Sequence, residues 1–226
     1  MLNDFLALFY PRNCIACGNS LYKHEDEVCN DCYLNMPKLP LLSAKNPVEQ
    51  IFYGRVQLVC AYSFYIFQKK GRVQKLLHAI KYKGNKELAV LLGKWFANDL
   101  LQHELIKNAD YIIPVPLHDK KKKIRGYNQS EEFAKGIAQV FDVPCTNTFL
   151  LRREFTTTQT KKSKYERWEN VEDVFELSQT HELSEKHIIL VDDVITTGAT
   201  IEACCRALNT IDGIKISVLS IAFAER

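Results

Sequence analysis

Two adjacent aspartates, Asp192 and Asp193, followed by Thr196, Thr197, Gly198, Ala199 and Thr200, are the residues of this chain best suited to chemistry by type and spacing. Ionised carboxylates only accept hydrogen bonds, so a pair of them suits vicinal hydroxyls, each of which has a proton to donate. Small hydroxyl-bearing residues around a glycine that tolerates positive φ, leading into a helix, offer backbone N–H groups and a positive helix end to an anion. Together the two halves fit a ribose phosphate. An ordinary strand, acidic turn and helix is the competing reading, and it does not explain why all three features occur in succession.

A second cluster lies near the start of the chain, where Cys14-Ile-Ala-Cys17-Gly and Cys29-Asn-Asp-Cys32 are separated by eleven residues. Two CxxC hooks supply the four thiolates of a tetrahedral structural Zn²⁺ site, and Gly18 relieves the tight turn after the first hook. A redox CxxC is the rival reading, but that motif normally occurs singly beside a βαβ unit. Four cysteines close the coordination sphere, so such a metal folds the module and does not catalyse. His24, between the hooks, is read as a loop residue. Cys60, Cys145, Cys204 and Cys205 share no such spacing and are read as small buried side chains.

The elements that must carry these residues follow from periodicity. Ile188 to Val191 is a short apolar run rich in β-branched residues, the pattern of a central parallel strand covered on both faces, which places the aspartates at its carboxyl end. Pro37, Pro40 and Pro47 mark residues 36–48 as a linker, dividing an N-terminal helix and zinc module (residues 1–48) from a larger domain (49–226). Within the latter, Arg55 to Phe67 predicts a strand or hairpin, Gly71 to Lys81 a helix, and Lys86 to Lys107 a longer helix. Tyr111 to Pro116 reads as a strand, Ser130 to Val140 as a helix, and strands follow near Leu150, at Val174 to Leu177 and at Ile214 to Phe223. Strands alternating with helices predict an α/β fold with a parallel, mixed-edge sheet.

With 226 residues and 46 % hydrophobic content the chain can bury one sizeable core and a small satellite, which excludes a disordered protein. Met1 to Tyr10 is too short to span a membrane and lacks the basic start of a signal peptide, so it reads as an amphipathic helix stopped by Pro11, and the expected location is cytoplasmic. The net charge of +3 is uneven: residues 1–50 hold four Lys/Arg against six Asp/Glu, leaving twenty-six against twenty-one for the remainder. Basic residues concentrate in Lys120, Lys121, Lys122, Lys123 and Arg125, and in Arg152 to Arg167, which includes Lys161 and Lys162. Such runs are most often solvated loops.

The stretch from His187 to Thr200 resembles the phosphoribosyl pyrophosphate (PRPP) motif of type I phosphoribosyltransferases. Taken in order, the Cys₄ module, Lys81-Tyr-Lys-Gly84, Pro114-Val-Pro-Leu-His118, Arg125-Gly-Tyr-Asn-Gln129, the Gln159 to Asn170 segment and the PRPP motif resemble the ComF family of bacterial competence proteins over essentially the whole chain. The resemblance implies a type I phosphoribosyltransferase-like, mostly parallel sheet flanked by helices. It further implies that Asp192 and Asp193 hold the ribose hydroxyls and that Thr196 to Thr200 cradle the 5′-phosphate. His118 and Arg125 would lie near the pyrophosphate, residues 152–170 would form a hood, and Mg²⁺ would accompany PRPP. Thr196 stands where 6-oxopurine salvage enzymes place an aspartate, which argues against that substrate class. Arg125 to Gln129 has a second reading, as the cap of the next helix through Asn128 or Ser130, with Tyr127 packed beneath.

Three functions remain open. The chain binds PRPP and assists DNA uptake in natural transformation, with Lys120–Lys123, Lys161, Lys162 and the zinc module following single-stranded DNA and Tyr127, Tyr165 and Trp168 available for stacking. Alternatively it is an active phosphoribosyltransferase with an unread acceptor, or a regulator that changes partners, other DNA-uptake proteins among them, when PRPP binds.

Overall fold

The structure is a computed structural model that describes residues 12–41, 46–153 and 174–225. Met1 to Tyr10 and residues 154–173, which carry Lys161, Lys162, Tyr165, Arg167, Trp168 and Asn170, lie outside the described residues.

In chain order the main elements are α1 (Asn30–Asn35), α2 (Pro47–Gln50), β1 (Cys60–Ile66), α3 (Arg72–Tyr82), α4 (Lys86–Leu100), α5 (Glu104–Lys107), β2 (Tyr111–Pro114), α6 (Asp119–Arg125) and α7 (Gln129–Phe141). They are followed by β3 (Leu150–Arg152), β4 (Phe175–Leu177), β5 (His187–Ile195), α8 (Ala199–Leu208) and β6 (Lys215–Phe223). Strands β1-β6-β5-β2 form one sheet in that order, with every pairing parallel. The expected mixed edge is reduced, among the described residues, to a single antiparallel bridge on β1. Antiparallel pairing occurs in a separate ribbon, β3 with β4, and at that isolated bridge, where Lys38 meets Tyr65 on the outer edge of β1.

Ile188, Ile189, Leu190 and Val191 are fully buried, as a strand covered on both faces requires. Alternation sends Ile189 and Val191 to the layer that contains Phe96, Phe133 and Ile137, and Ile188 and Leu190 to the layer that contains Ile201, Cys204 and Leu208. Helices α3, α4 and α7 therefore cover one face, and α8 with the α2 region covers the other. Adjacent strands β2 and β5 are followed by helices on opposite faces, and that divergence opens a crevice at their carboxyl ends, where sheets of this kind bind ligands.

Helices α4 and α7 touch backbone to backbone. A Cβ at Gly93 would strike the Phe133 carbonyl, and one at Gly136 would strike the Val90 carbonyl, so both positions need glycine. This close crossing fixes where α7 begins, and α7 begins at the site.

Two expectations change. The helix expected over residues 86–107 ends at Leu100 and restarts as α5, because the chain must turn back to enter β2. Leu100, Ile106 and Ala109 are all buried at that turn, although no Gly or Pro marks it. Arg55 to Phe67 yields only β1, with residues 51–55 in turns. The stretch read as a linker runs along β1: the Leu39 N–H donates to the Phe64 carbonyl at 3.0 Å, and the Ile66 N–H donates to the Pro37 carbonyl at 2.8 Å.

Candidate functional site

Strand β2 ends where the chemistry starts. Pro114 pairs with Val191, the Val115 N–H makes one more bond to the Val191 carbonyl at 2.8 Å, and Pro116 has no N–H to continue the ladder. Strand β5 goes on against β6 as far as Ile195, so Asp192 and Asp193 lie within the strand and not beyond its tip. Their side toward β2 is open.

The start of α7 borders that opening and leaves both carboxylates half-buried. Asn128 donates its Nδ2–H to the Val115 carbonyl at 2.9 Å, while its Oδ1 accepts from the Ser130 N–H at 3.2 Å, making it the helix N-cap. Ser130 in turn donates its hydroxyl to Asp192 Oδ1 at 3.1 Å, and the same oxygen accepts the Asp193 N–H at 2.8 Å. Asp193, on the α3 side by alternation, faces Lys81 Nζ at 2.8 Å. Burial pushes the Asp192 carboxyl up to about 7, with the negative charge of Asp193 adding to the effect. The donors from Asp193 and Ser130 and the charge of Lys81 hold it back only in part.

After Ile195 the chain enters the threonine loop. Gly198 has φ +76°, and a Cβ there would lie 2.7 Å from the Phe52 ring and 3.1 Å from Ile51, so the position is restricted twice over. Thr196, Thr197, Ala199 and Thr200 are exposed, and Thr197 Oγ1 accepts the Ala199 N–H at 3.3 Å as α8 starts. Arg55 anchors the loop from outside: its guanidinium donates to the Thr197 carbonyl at 2.8 Å and the Ile51 carbonyl at 3.0 Å, and pairs with Glu202 in the first turn of α8. Arg55 thus ties the loop to the first turn of α8, whose backbone N–H groups are able to receive an oxyanion.

His118 and Arg125 bracket α6. His118 Nδ1 accepts the Lys120 N–H at 3.2 Å, and Arg125 donates to Gln129 Oε1 at 2.8 Å while its guanidinium lies 5.7 Å from the centre of the Tyr82 ring. The turn expected after β2 is therefore helical, and Lys120, Lys121, Lys122 and Lys123 are exposed along it. Tyr127 is 5 % exposed, with its hydroxyl donating to the Ile80 carbonyl, which removes it as a stacking surface for bases. The segment 154–173 is bracketed by the β3–β4 ribbon, where the Arg153 N–H donates to the Val174 carbonyl at 3.0 Å.

The four cysteine sulfurs of residues 14, 17, 29 and 32 lie within 4.8 Å of one another. Cys17 Sγ and Cys29 Sγ are 3.8 Å apart, close to the ~3.8 Å edge of a tetrahedron with Zn–S bonds of about 2.3 Å. The Cys29 N–H donates to Cys14 Sγ at 3.3 Å and the Asn19 N–H to Cys17 Sγ at 3.4 Å, as thiolates accept. Burial opposes ionisation of Cys14, but the backbone donors of Cys29, Cys17 and Ala16 outweigh it and bring the thiol down to about 6. This cluster can hold a metal ion. Glu25 braces the second hook by accepting the Asn30 and Tyr22 N–H groups, each at 2.8 Å. Cys60, Cys204 and Cys205 are buried with their thiols pushed up by desolvation, while Cys145 is half-buried.

Sequence reasoning did not assign roles to Lys81, Arg55 or Phe52. Lys81 stands in the quoted Lys81-Tyr-Lys-Gly84 island, which was its only signal; Arg55 and Phe52 meet the loop from some 140 residues away in sequence, and no local pattern marks them.

Known proteins bear on this geometry. The sequence profile of the phosphoribosyl transferase domain matches residues 128–224. Competence protein F of Haemophilus influenzae is 26 % identical over 96 % of this chain and 99 % of its own length. Competence protein ComFC of Bacillus subtilis is 24 % identical over 83 % and 80 %, and DNA utilization protein YhgH of Escherichia coli strain K12 is 26 % identical over 59 % of each chain. Among solved structures, a purine phosphoribosyltransferase from Pyrococcus horikoshii Ot3 overlaps 62 % of this chain and 82 % of its own at 15 % identity with a TM-score of 0.38, too loose a likeness to carry an argument.

Proposed function

Because the chain belongs to the ComF family and carries a phosphoribosyltransferase domain, we propose that it binds Mg-PRPP at Asp192, Asp193 and Thr196 to Thr200 and assists the handling of single-stranded DNA during uptake. The observation that carries this reading is the acidic pair set beside the open edge of β5, one loop away from the exposed donors of α8. Asp192 and Asp193 accept the ribose 2′ and 3′ hydroxyls, and the loop takes the 5′-phosphate. Mg²⁺, when bound with PRPP, offsets the pyrophosphate charge. His118 and Arg125 approach the pyrophosphate, and the segment from Arg152 to Asn170, with Lys161 and Lys162, is a further source of cations by its resemblance to the hood of related transferases. Zn²⁺ on Cys14, Cys17, Cys29 and Cys32 is structural. The expected location is the cytoplasm; among the described residues no helix is long and apolar enough to cross a membrane.

A role in DNA uptake is supported by relatives named for competence and DNA utilization. A second reading, transfer of ribose 5-phosphate to an acceptor with release of pyrophosphate, is favoured by the survival of the acidic pair with its Lys81 counter-ion. Isothermal titration of the zinc-loaded protein with Mg-PRPP tests the site. Saturable binding that the Asp192→Asn/Asp193→Asn variant loses supports it, and no binding by the wild-type protein contradicts it.

A further inference from the structure

Resting on the DNA-handling reading, we propose that single-stranded nucleic acid follows the exposed face of α3, along the groove between that helix and the cysteine module, and not primarily the lysines of α6. Between Glu49 and Glu87 the chain holds eight lysines and arginines and no acidic residue, a bias that is spread out in sequence and gathered by the fold. A cavity of about 680 Å³ opens there, lined by Asn13 and Cys14 on one wall and by Lys70, Lys75, His78 and Lys83 on the other. No carboxylate lines it, and among the described residues none of its three lysines pairs with one. The neighbouring hollow at the other end of the module is different, with Asp26, Glu27, Glu87 and Glu132 among its walls. Anion preference is therefore local to the α3 side.

The groove leads to an aromatic step. Tyr82 is 67 % exposed at the end of α3, with its ring centre 5.0 Å from that of His78 and 5.7 Å from the Arg125 guanidinium. An exposed tyrosine flanked by a cation is a platform for a base, and spaced lysines along a concave track suit a single-strand backbone. A flat membrane could not enter the concavity, and an acidic peptide would make no use of the ring. One turn of α3 serves both surfaces, since Lys81 reaches Asp193 while Tyr82 faces outward. The track therefore passes the mouth of the ribose-phosphate site. α6 joins it only at Arg125.

Fluorescence anisotropy with a labelled oligothymidylate tests the assignment, using the zinc-loaded full chain, Lys70→Glu/Lys75→Glu, Tyr82→Ala, and a Lys120–Lys123 alanine variant. The first is expected to weaken binding at least tenfold and to flatten the salt dependence, with a log–log slope reduced by roughly 1.4 for two lost phosphate contacts. Tyr82→Ala is expected to cost about tenfold with the salt slope unchanged, as loss of one stacked base predicts. The α6 variant should change affinity less than either. If the wild-type protein binds and the groove variants bind equally well, or if only the α6 variant loses binding, the groove is overturned while the DNA reading stands. If the wild-type protein does not bind the oligonucleotide, both fall. Mg-PRPP titration of the same variants checks that they are folded.

Discussion

The cysteine module and the acidic crevice are the two candidate ligand sites, and they are built in opposite ways. All four sulfurs of the first come from one stretch of nineteen residues, and backbone N–H groups from the same stretch orient them. The second draws Asp192 and Asp193 from β5, Ser130 from α7, Lys81 from α3 and Arg55 from the chain before β1. A local site depends on its ion for its shape, whereas an assembled site depends on the whole fold and keeps charges in an unsettled balance. The contrast teaches where each should break: the module by removing one atom, the crevice by degrees.

The largest effect is expected from the metal. Four crowded thiols cannot all ionise without a cation, and apparent binding energies of structural zinc are about 10–16 kcal/mol at neutral pH in small modules. Chelation, or Cys32→Ser, should abolish the ordered packing of Cys14, Ala16, Val28 and Cys32 against the α3–α4 layer, seen as lost zinc stoichiometry and a lower melting temperature. Retention of full stability without metal would contradict the local account.

Next comes the threonine loop. Gly198→Val would force a β-branched side chain into positive φ and against Phe52, so ribose-phosphate affinity should fall tenfold or more with the melting temperature lowered by several degrees. A smaller loss, roughly three- to tenfold, is expected for Lys81→Met, which leaves Asp193 without its partner; calorimetry at several salt concentrations would read it.

The most delicate prediction concerns pH. The Asp192 carboxyl is raised to about 7 in the folded protein against an unfolded value near 3.9, so the fold binds its proton more tightly than the unfolded chain does. Its contribution to stability is favourable below about pH 4, declines as pH rises to about 7, and is fully unfavourable above that. Asp192→Asn should therefore raise the melting temperature at pH 8 by about 2–4 °C for each kcal/mol relieved, with the gain vanishing toward pH 4. Ligand affinity should run the other way in the wild-type protein, weakening as pH falls through 7 and the acceptor is protonated.

Much of this molecule can be read without its coordinates, and the two sites show the limit. Periodicity announces β5 and α8, and CxxC spacing announces the cysteine cluster, because both signals span fewer residues than one supersecondary unit. The break in the 86–107 helix is not announced, since tertiary burial of Leu100 and Ile106, and no breaker residue, sets it. Lys81 and Arg55 act across 112 and 142 positions, distances at which only topology decides who meets whom. The basic groove escapes notice for the same reason: Lys120 to Lys123 form the conspicuous run, whereas Lys70, Lys75 and Lys83 lie before, within and just after α3 and line one cavity only when folded.

The central claim is that the acidic pair recognises a ribose diol and not merely a nearby cation. Parallel calorimetric titrations with ribose 5-phosphate and 2-deoxyribose 5-phosphate at pH 8 test it most directly. The account predicts that loss of the 2′-hydroxyl weakens binding at least tenfold in the wild-type protein and that the Asp192→Asn/Asp193→Asn variant binds neither sugar measurably. Equal affinity of the wild-type protein for the two sugars would contradict it.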